Sequence, residues 1–261
     1  MTTFENSTQE VSLPWWQQAF ALLAKDLKAE LRTKAAVSAV GVFTFASLLL
    51  LGLATAVLKE VPTVSILKLN DPIKVVDVIG QMHPAWDSPS KMGLLWVLFC
   101  FAAFAGLAHS FVHEEETGTV TALRLSMSAG AVYTGKLLFN LIVLLGIMIV
   151  VTPVYMAMTG MLMGSPFVFL AVMLSGGIGL AATATIIGAL AAKAQGTGAL
   201  YGALGLPLLL VFLMLLLNAG ATVYIKDAPI LRVVKDVGGL FSFGVLIISI
   251  SAMLFHFVWE E

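Results

Sequence analysis

Runs free of Asp, Glu, Lys and Arg divide this chain, at 35–58, 92–112, 137–192, 194–225 and 237–259. A helix needs about 20 apolar residues to cross ~30 Å of hydrocarbon. Four of the runs therefore fit one span each, the run at 194–225 leaving residues over for its loops. The run at 137–192 is too long for one helix. Gly164-Ser165-Pro166 breaks it, because Gly and Pro punctuate helices and Pro suits a first helical turn. The pattern predicts six spans, at roughly 36–58, 93–112, 137–159, 167–192, 199–220 and 238–258. Backbone amides in lipid must bond within the segment, and the runs lack the alternation of barrel strands. The predicted class is an all-α integral membrane protein with six transmembrane helices.

Outside the spans the pattern changes period. At about 100° per residue, Trp16, Phe20, Leu23, Leu27 and Leu31 share one helical face, and Gln17, Gln18, Lys25, Lys28 and Arg32 the opposite one. Residues 15–34 therefore read as an amphipathic elbow helix lying in the membrane interface, with its cations towards anionic lipid. A polar tail, 1–14, precedes it, and a six-span domain, 35–261, follows. Within that domain the segment 59–91 is the longest predicted stretch outside the bilayer, with prolines at 62, 72, 84 and 89. The segment 113–136 joins spans two and three. It carries Glu114-Glu115-Glu116, a breaking Gly118, and Val120, Leu123 and Leu125 spaced for a short amphipathic turn. A solvated loop and a docking platform for a soluble subunit both fit that pattern.

Composition agrees with the membrane reading: 59% of residues are hydrophobic, 11% are charged and the mean hydropathy is +0.99. A net charge of −1 gives no footing for nucleic acid. The single cysteine, Cys100, excludes an intramolecular disulfide framework. The polar, acidic start does not resemble a cleavable signal peptide, so insertion through the first span is expected. An even span count places both termini on one side. Basic residues do not say which side, tying at seven on each. The crowding of Lys25, Lys28, Arg32 and Lys34 before the first span favours cytoplasmic termini.

Candidate chemistry is sparse. Leu174-Ser175-Gly176-Gly177-Ile178 looks like an ATPase signature but lies inside an apolar run, and no G-x-x-x-x-G-K-[ST] phosphate loop occurs. Gly177, Ala181, Thr185 and Ala189 instead form a small-xxx-small stripe for close helix packing, with Gly198 and Gly202 similarly spaced in the next span. His113-Glu114 lacks the second histidine of a zinc-protease motif, since position 117 is Thr. His109 near the end of span two, and His83 with Trp86, are candidate contacts for a planar ligand, against the plainer reading of interfacial polar and aromatic anchors. No metal site, bound cofactor or catalytic group is expected. Charges inside membrane spans usually mark ion coupling. Their absence here predicts a non-catalytic subunit that takes its energy from a separate ATP-hydrolysing partner.

Four stretches carry a family resemblance. Lys25-Asp26-Leu27 with Glu30-Leu31-Arg32 resembles the K-D-L-x-x-E-L-R elbow of the haem exporter B permeases, the cytochrome c maturation protein B family of type-2 ABC exporters. Glu114-x-x-x-Gly118-Thr119, Leu123-x-Leu125 and Gly135-Lys136 resemble its docking loop, Leu206-Pro207-Leu208-Leu209-Leu210 its proline-bearing fifth span, and 254–261 its acidic ending. Two departures stand out: Met127 occupies a usual proline position, and 59–91 is longer than the family norm. The resemblance implies a bacterial inner-membrane permease with an ATP-binding cassette ATPase, a haem-handling membrane protein and a periplasmic haem chaperone as partners. Haem is then substrate of the complex. It implies Glu114, Glu116, Gly118, Thr119 and Lys136 as the ATPase-coupling loop, and Lys25, Asp26, Glu30 and Arg32 as residues fixing the elbow. A type-2 permease for a lipid or drug, and a membrane scaffold without a transport cycle, remain as alternatives.

Overall fold

A computed structural model describes residues 14–33, 35–60, 89–104, 118–193, 198–225 and 228–260. Every regular element among them is helical: α1 (Trp15–Thr33), α2 (Ala35–Glu60), α3 (Pro89–Ala102), α4 (Val120–Ser126), α5 (Ala129–Thr159), α6 (Pro166–Lys193), α7 (Gly198–Val223) and α8 (Ile230–Glu260). Among the described residues, three stretches are long and apolar enough to cross a membrane: Ala129–Thr159, Pro166–Leu190 and Ile230–Phe257. Shorter apolar helical stretches occur at Gly41–Leu53, Lys91–Ala102 and Pro207–Val223. Each of these six overlaps one of the expected spans. Most of the expected tail, the outer segment from 61 to 88, and 105–117 lie outside the described residues.

Local chemistry explains the element ends. Ser128 is extended, and its Oγ accepts from the Ala131 amide at 3.4 Å, capping α5. Gly160 closes α5 in the left-handed region, at φ 62°. Pro166 opens α6, where a missing amide proton costs nothing. The amides of Gly164 and Ser165 donate to the Val223 carbonyl at 3.1 and 3.3 Å, so the α5–α6 turn sits beside the end of α7.

Helix α6 forms the centre, packing against α5, α7 and α8. Every residue from Gly179 to Ala189 is buried. The expected stripe of Gly177, Ala181, Thr185 and Ala189 lies in this buried region, with Gly177 against Met148 of α5. The closest approaches fall on neighbouring glycines. A Cβ at Gly176 would come within 2.3 Å of the Trp96 ring, and one at Gly179 within 2.5 Å of the Phe212 ring. The main core gathers Trp96 and Phe99 of α3, Tyr155 of α5, Leu180 of α6, and Phe212 and Leu216 of α7. Deep in it, Asn140 Nδ2 donates to Thr185 Oγ1 at 2.8 Å, joining α5 to α6 where lipid supplies no competing partner.

Two helix starts need correction. Helix α8 begins at Ile230, eight residues before the sixth span expected from 238. The third span was expected from 137, after Lys136, but α5 begins at Ala129. Absence of charge marked the hydrocarbon-compatible part, whereas the Ser128 cap sets the helix end. Thirty-one residues at 1.5 Å each make about 46 Å, roughly 16 Å more than the hydrocarbon needs. The first turns of α5 therefore project beyond the apolar layer and can carry a charge.

Candidate functional site

At one end of the bundle, α1 and α4 meet the start of α5 and the ends of α6 and α8. A second core cluster forms here from Leu22 of α1, Leu123 of α4, Val132 and Tyr133 of α5, Ala189 of α6 and Phe255 of α8. This end of the molecule gathers most of the described candidate residues.

Helix α1 lies directly on α5. Gly135 permits the approach: a Cβ there would stand 3.0 Å from the Ala19 carbonyl oxygen and 3.0 Å from Leu22 Cδ2. The neighbouring Lys136 Nζ reaches Asp26 Oδ2 at 2.9 Å, an ion pair. Both side chains are buried, at 3% and 9% exposure. Lys25, half exposed, approaches the other Asp26 oxygen at 3.7 Å. About two turns towards the start of α1, Gln18 Oε1 accepts from the Ser128 amide at 3.1 Å and from its hydroxyl at 3.5 Å. Ser128 thus caps α5 and binds α1 at once. Removing one member of a buried ion pair leaves the other uncompensated, typically at a cost of about 3–5 kcal/mol.

The buried face of α1 differs from the apolar face expected. Trp16, Phe20 and Leu31 are exposed, as an interfacial helix would have them, but Leu23 is buried with Ala19, Leu22 and Asp26 against α5. The helix has two faces in use because Asp26 turns inward to Lys136. Glu30 is half-buried and Arg32 exposed, beyond that contact.

Gly118 adopts φ 68°, a conformation that favours glycine, just before α4. Thr119 follows at the cap position, its carbonyl accepting from the Leu123 amide at 3.1 Å. Leu123 is buried, while Leu125 is 86% exposed. Arg124 lies over the Trp259 ring of α8, 5.4 Å from its centroid. Lys136, read from sequence as the end of a loop, is a buried residue of α5 and the partner of Asp26. Gly198 and Gly202 lie in the first turns of α7. Glu114, Glu116, His83, Trp86 and His109 fall outside the described residues. Among the described residues no group of His, Cys, Asp and Glu could hold a metal ion.

Sequence reasoning missed Gln18, Ser128, Tyr133 and Trp259 as parts of one assembly. Ser128 offered a signal, as an N-cap residue type before a run of apolar residues. The others carry no local mark, because their meeting depends on how α1, α5 and α8 pack.

A family model described as ABC-2 type transporter matches residues 17–237, from within α1 into the first part of α8. No curated protein and no solved structure matches the chain.

Proposed function

The chain belongs to the ABC-2 type transporter family and is the membrane subunit of an ABC transporter, and on that premise we propose that it serves haem delivery in cytochrome c maturation. Permeases of this family work with an ATP-binding subunit. The proposed complex adds a haem-handling membrane protein and a periplasmic haem chaperone, with ATP hydrolysis driving release of the loaded chaperone. The haem assignment is supported by the elbow, docking-loop, fifth-span and C-terminal stretches that resemble the haem exporter B permeases.

In this reading the bundle crosses a bacterial inner membrane six times, α1 is the interfacial elbow, and the end carrying α1 and α4 is cytoplasmic. The permease itself hydrolyses nothing. One observation carries the coupling role: α4, with an exposed Leu125, is followed after two residues by α5, whose Lys136 is locked to Asp26 of α1. A displacement of α4 by the ATP-binding subunit then reaches α5 and α1 together. Glu114 and Glu116, just ahead of α4, would meet basic groups on that subunit. Haem is treated as cargo, and no resident cofactor is assigned to this chain.

The test is purification of the complex with Glu114→Ala/Glu116→Ala in the permease. We expect normal membrane insertion, with permease-stimulated ATP hydrolysis reduced at least ~10-fold, the scale of losing buried charge contacts at an interface. Full stimulation in that variant would overturn the docking assignment. Co-purification of an ATP-binding subunit without any haem protein would leave the permease role standing and sink the haem assignment, in favour of a lipid or drug substrate.

A further inference from the structure

We propose that Trp259, near the end of α8, is a positioning residue that sets the angle at which α4 meets the ATP-binding subunit. The inference rests on the docking role proposed for α4. That helix has seven residues, too few internal hydrogen bonds to hold its shape or direction alone. Only Met127 and Ser128 join it to α5. Its orientation must therefore come from what its side chains lie against.

Two neighbouring residues supply that support. Leu123 is buried among Val132, Tyr133 and Phe255. Apolar anchors along one face, Leu123 and after it Met127, fix how deeply a helix sits but leave it free to roll about its own axis. Arg124 points about 100° further round the helix, and its guanidinium lies 5.4 Å from the Trp259 ring centroid. That second, off-axis contact stops the roll. Trp259 is itself held in place, stacked on Phe255 at 5.3 Å with an interplanar angle of 26°. Phe255 in turn meets Tyr133 of α5 at 5.7 Å. The aromatic line makes the end of α8 a backstop for α4, and the resulting roll angle turns Leu125 outward. Trp259 lies beyond residue 237, where the family match ends, so family membership does not by itself require this contact.

The experiment uses the full permease with its co-purifying ATP-binding subunit, reconstituted in lipid nanodiscs. Two quantities are read for each variant: the amount of ATP-binding subunit retained, and the rate of ATP hydrolysis. Trp259→Ala and Arg124→Ala should each lower stimulated hydrolysis about 2- to 5-fold, the size of an exposed cation–π contact. Retention of the subunit should be unchanged. The double variant should fall no further than either single one, because both remove the same contact. Trp259→Phe, which keeps a ring against Phe255, should recover most of the rate. Unchanged hydrolysis in Arg124→Ala, or additive losses in the double variant, would overturn the positioning role. Should Trp259→Ala fail to insert, Arg124→Ala and Trp259→Phe still decide, since Arg124 is exposed. A wild-type permease that neither retains nor stimulates any ATP-binding subunit would sink the docking reading of α4 itself. Normal wild-type stimulation with indifferent variants would sink only the role of Trp259.

Discussion

The two ends of the bundle are held together by different chemistry. At the end opposite α1, the Tyr155 hydroxyl donates to the Lys91 carbonyl at 2.7 Å, and the α5–α6 turn donates two amides to the Val223 carbonyl. Nearby, the Thr222 hydroxyl donates to Asp236 Oδ2 and accepts from Arg232 Nε at 3.2 Å. Arg232 there is half exposed and spans 3.8 Å to Asp236. These are mostly neutral or part-solvated hydrogen bonds, each worth a modest net amount. At the α1 end, a buried ion pair, a shared cap and an aromatic line tie four helices through a few side chains. Neutral hydrogen bonds can be lost singly at small cost, whereas a buried charge stripped of its partner cannot be tolerated. The stability of the α1 end therefore rests on a few side chains acting together, and that of the opposite end on bonds that act separately.

Breaking the α1 end should have the larger consequence. Lys136→Met leaves the buried Asp26 with only the half-exposed Lys25, 3.7 Å from its other oxygen, as counter-charge, and should cost up to about 3–5 kcal/mol, read as a lower midpoint of unfolding in detergent. Adding Asp26→Leu removes the orphaned charge and should recover most of that loss. A double variant as unstable as the single one would show that packing, not charge, dominates here. An intermediate effect is expected from Gly135→Leu, whose side chain must push Ala19 and Leu22 away. Overpacking of this kind costs about 1–3 kcal/mol, and proteolysis should then release α1 while the remaining bundle stays protected. Protection of α1 in that variant would mean that the 3.0 Å approach is not what holds it. The smallest effect belongs to the opposite end. Tyr155→Phe removes the hydrogen bond to Lys91 and should cost about 0.5–1.5 kcal/mol, with ATP hydrolysis by the partner unchanged. A loss of stability as large as that of Lys136→Met would erase the distinction between the two ends.

Much of the architecture was legible in the hydrophobic pattern. Charge-free runs located each apolar helical stretch, and the Gly164-Ser165-Pro166 break separated α5 from α6 where the structure has its turn. The small residues of α6 also announced a tightly packed helix, although the tightest contacts fell on Gly176 and Gly179 rather than on the expected stripe. The start of α5 was misplaced because charge was taken to end a helix, when the Ser128 cap ends it eight residues earlier. The inward turn of α1 was not visible because its apolar arc alone suggested lipid contact for Leu23, which α5 instead covers.

The sequence by itself determined that this is a helical membrane protein, because apolar length and period depend only on neighbouring residues; its membership of the ABC-2 type rests on the family match over residues 17–237. The sequence also marked Asp26 and Lys136 as residues of interest, without relating them. Only the tertiary structure decided that these two charges, 110 residues apart, neutralise one another, and that Arg124 meets Trp259. Pairings of that kind are set by which helices lie side by side. Helix adjacency follows from the fit of Gly135, Gly176 and Gly179 against their neighbours, and local patterning does not encode it.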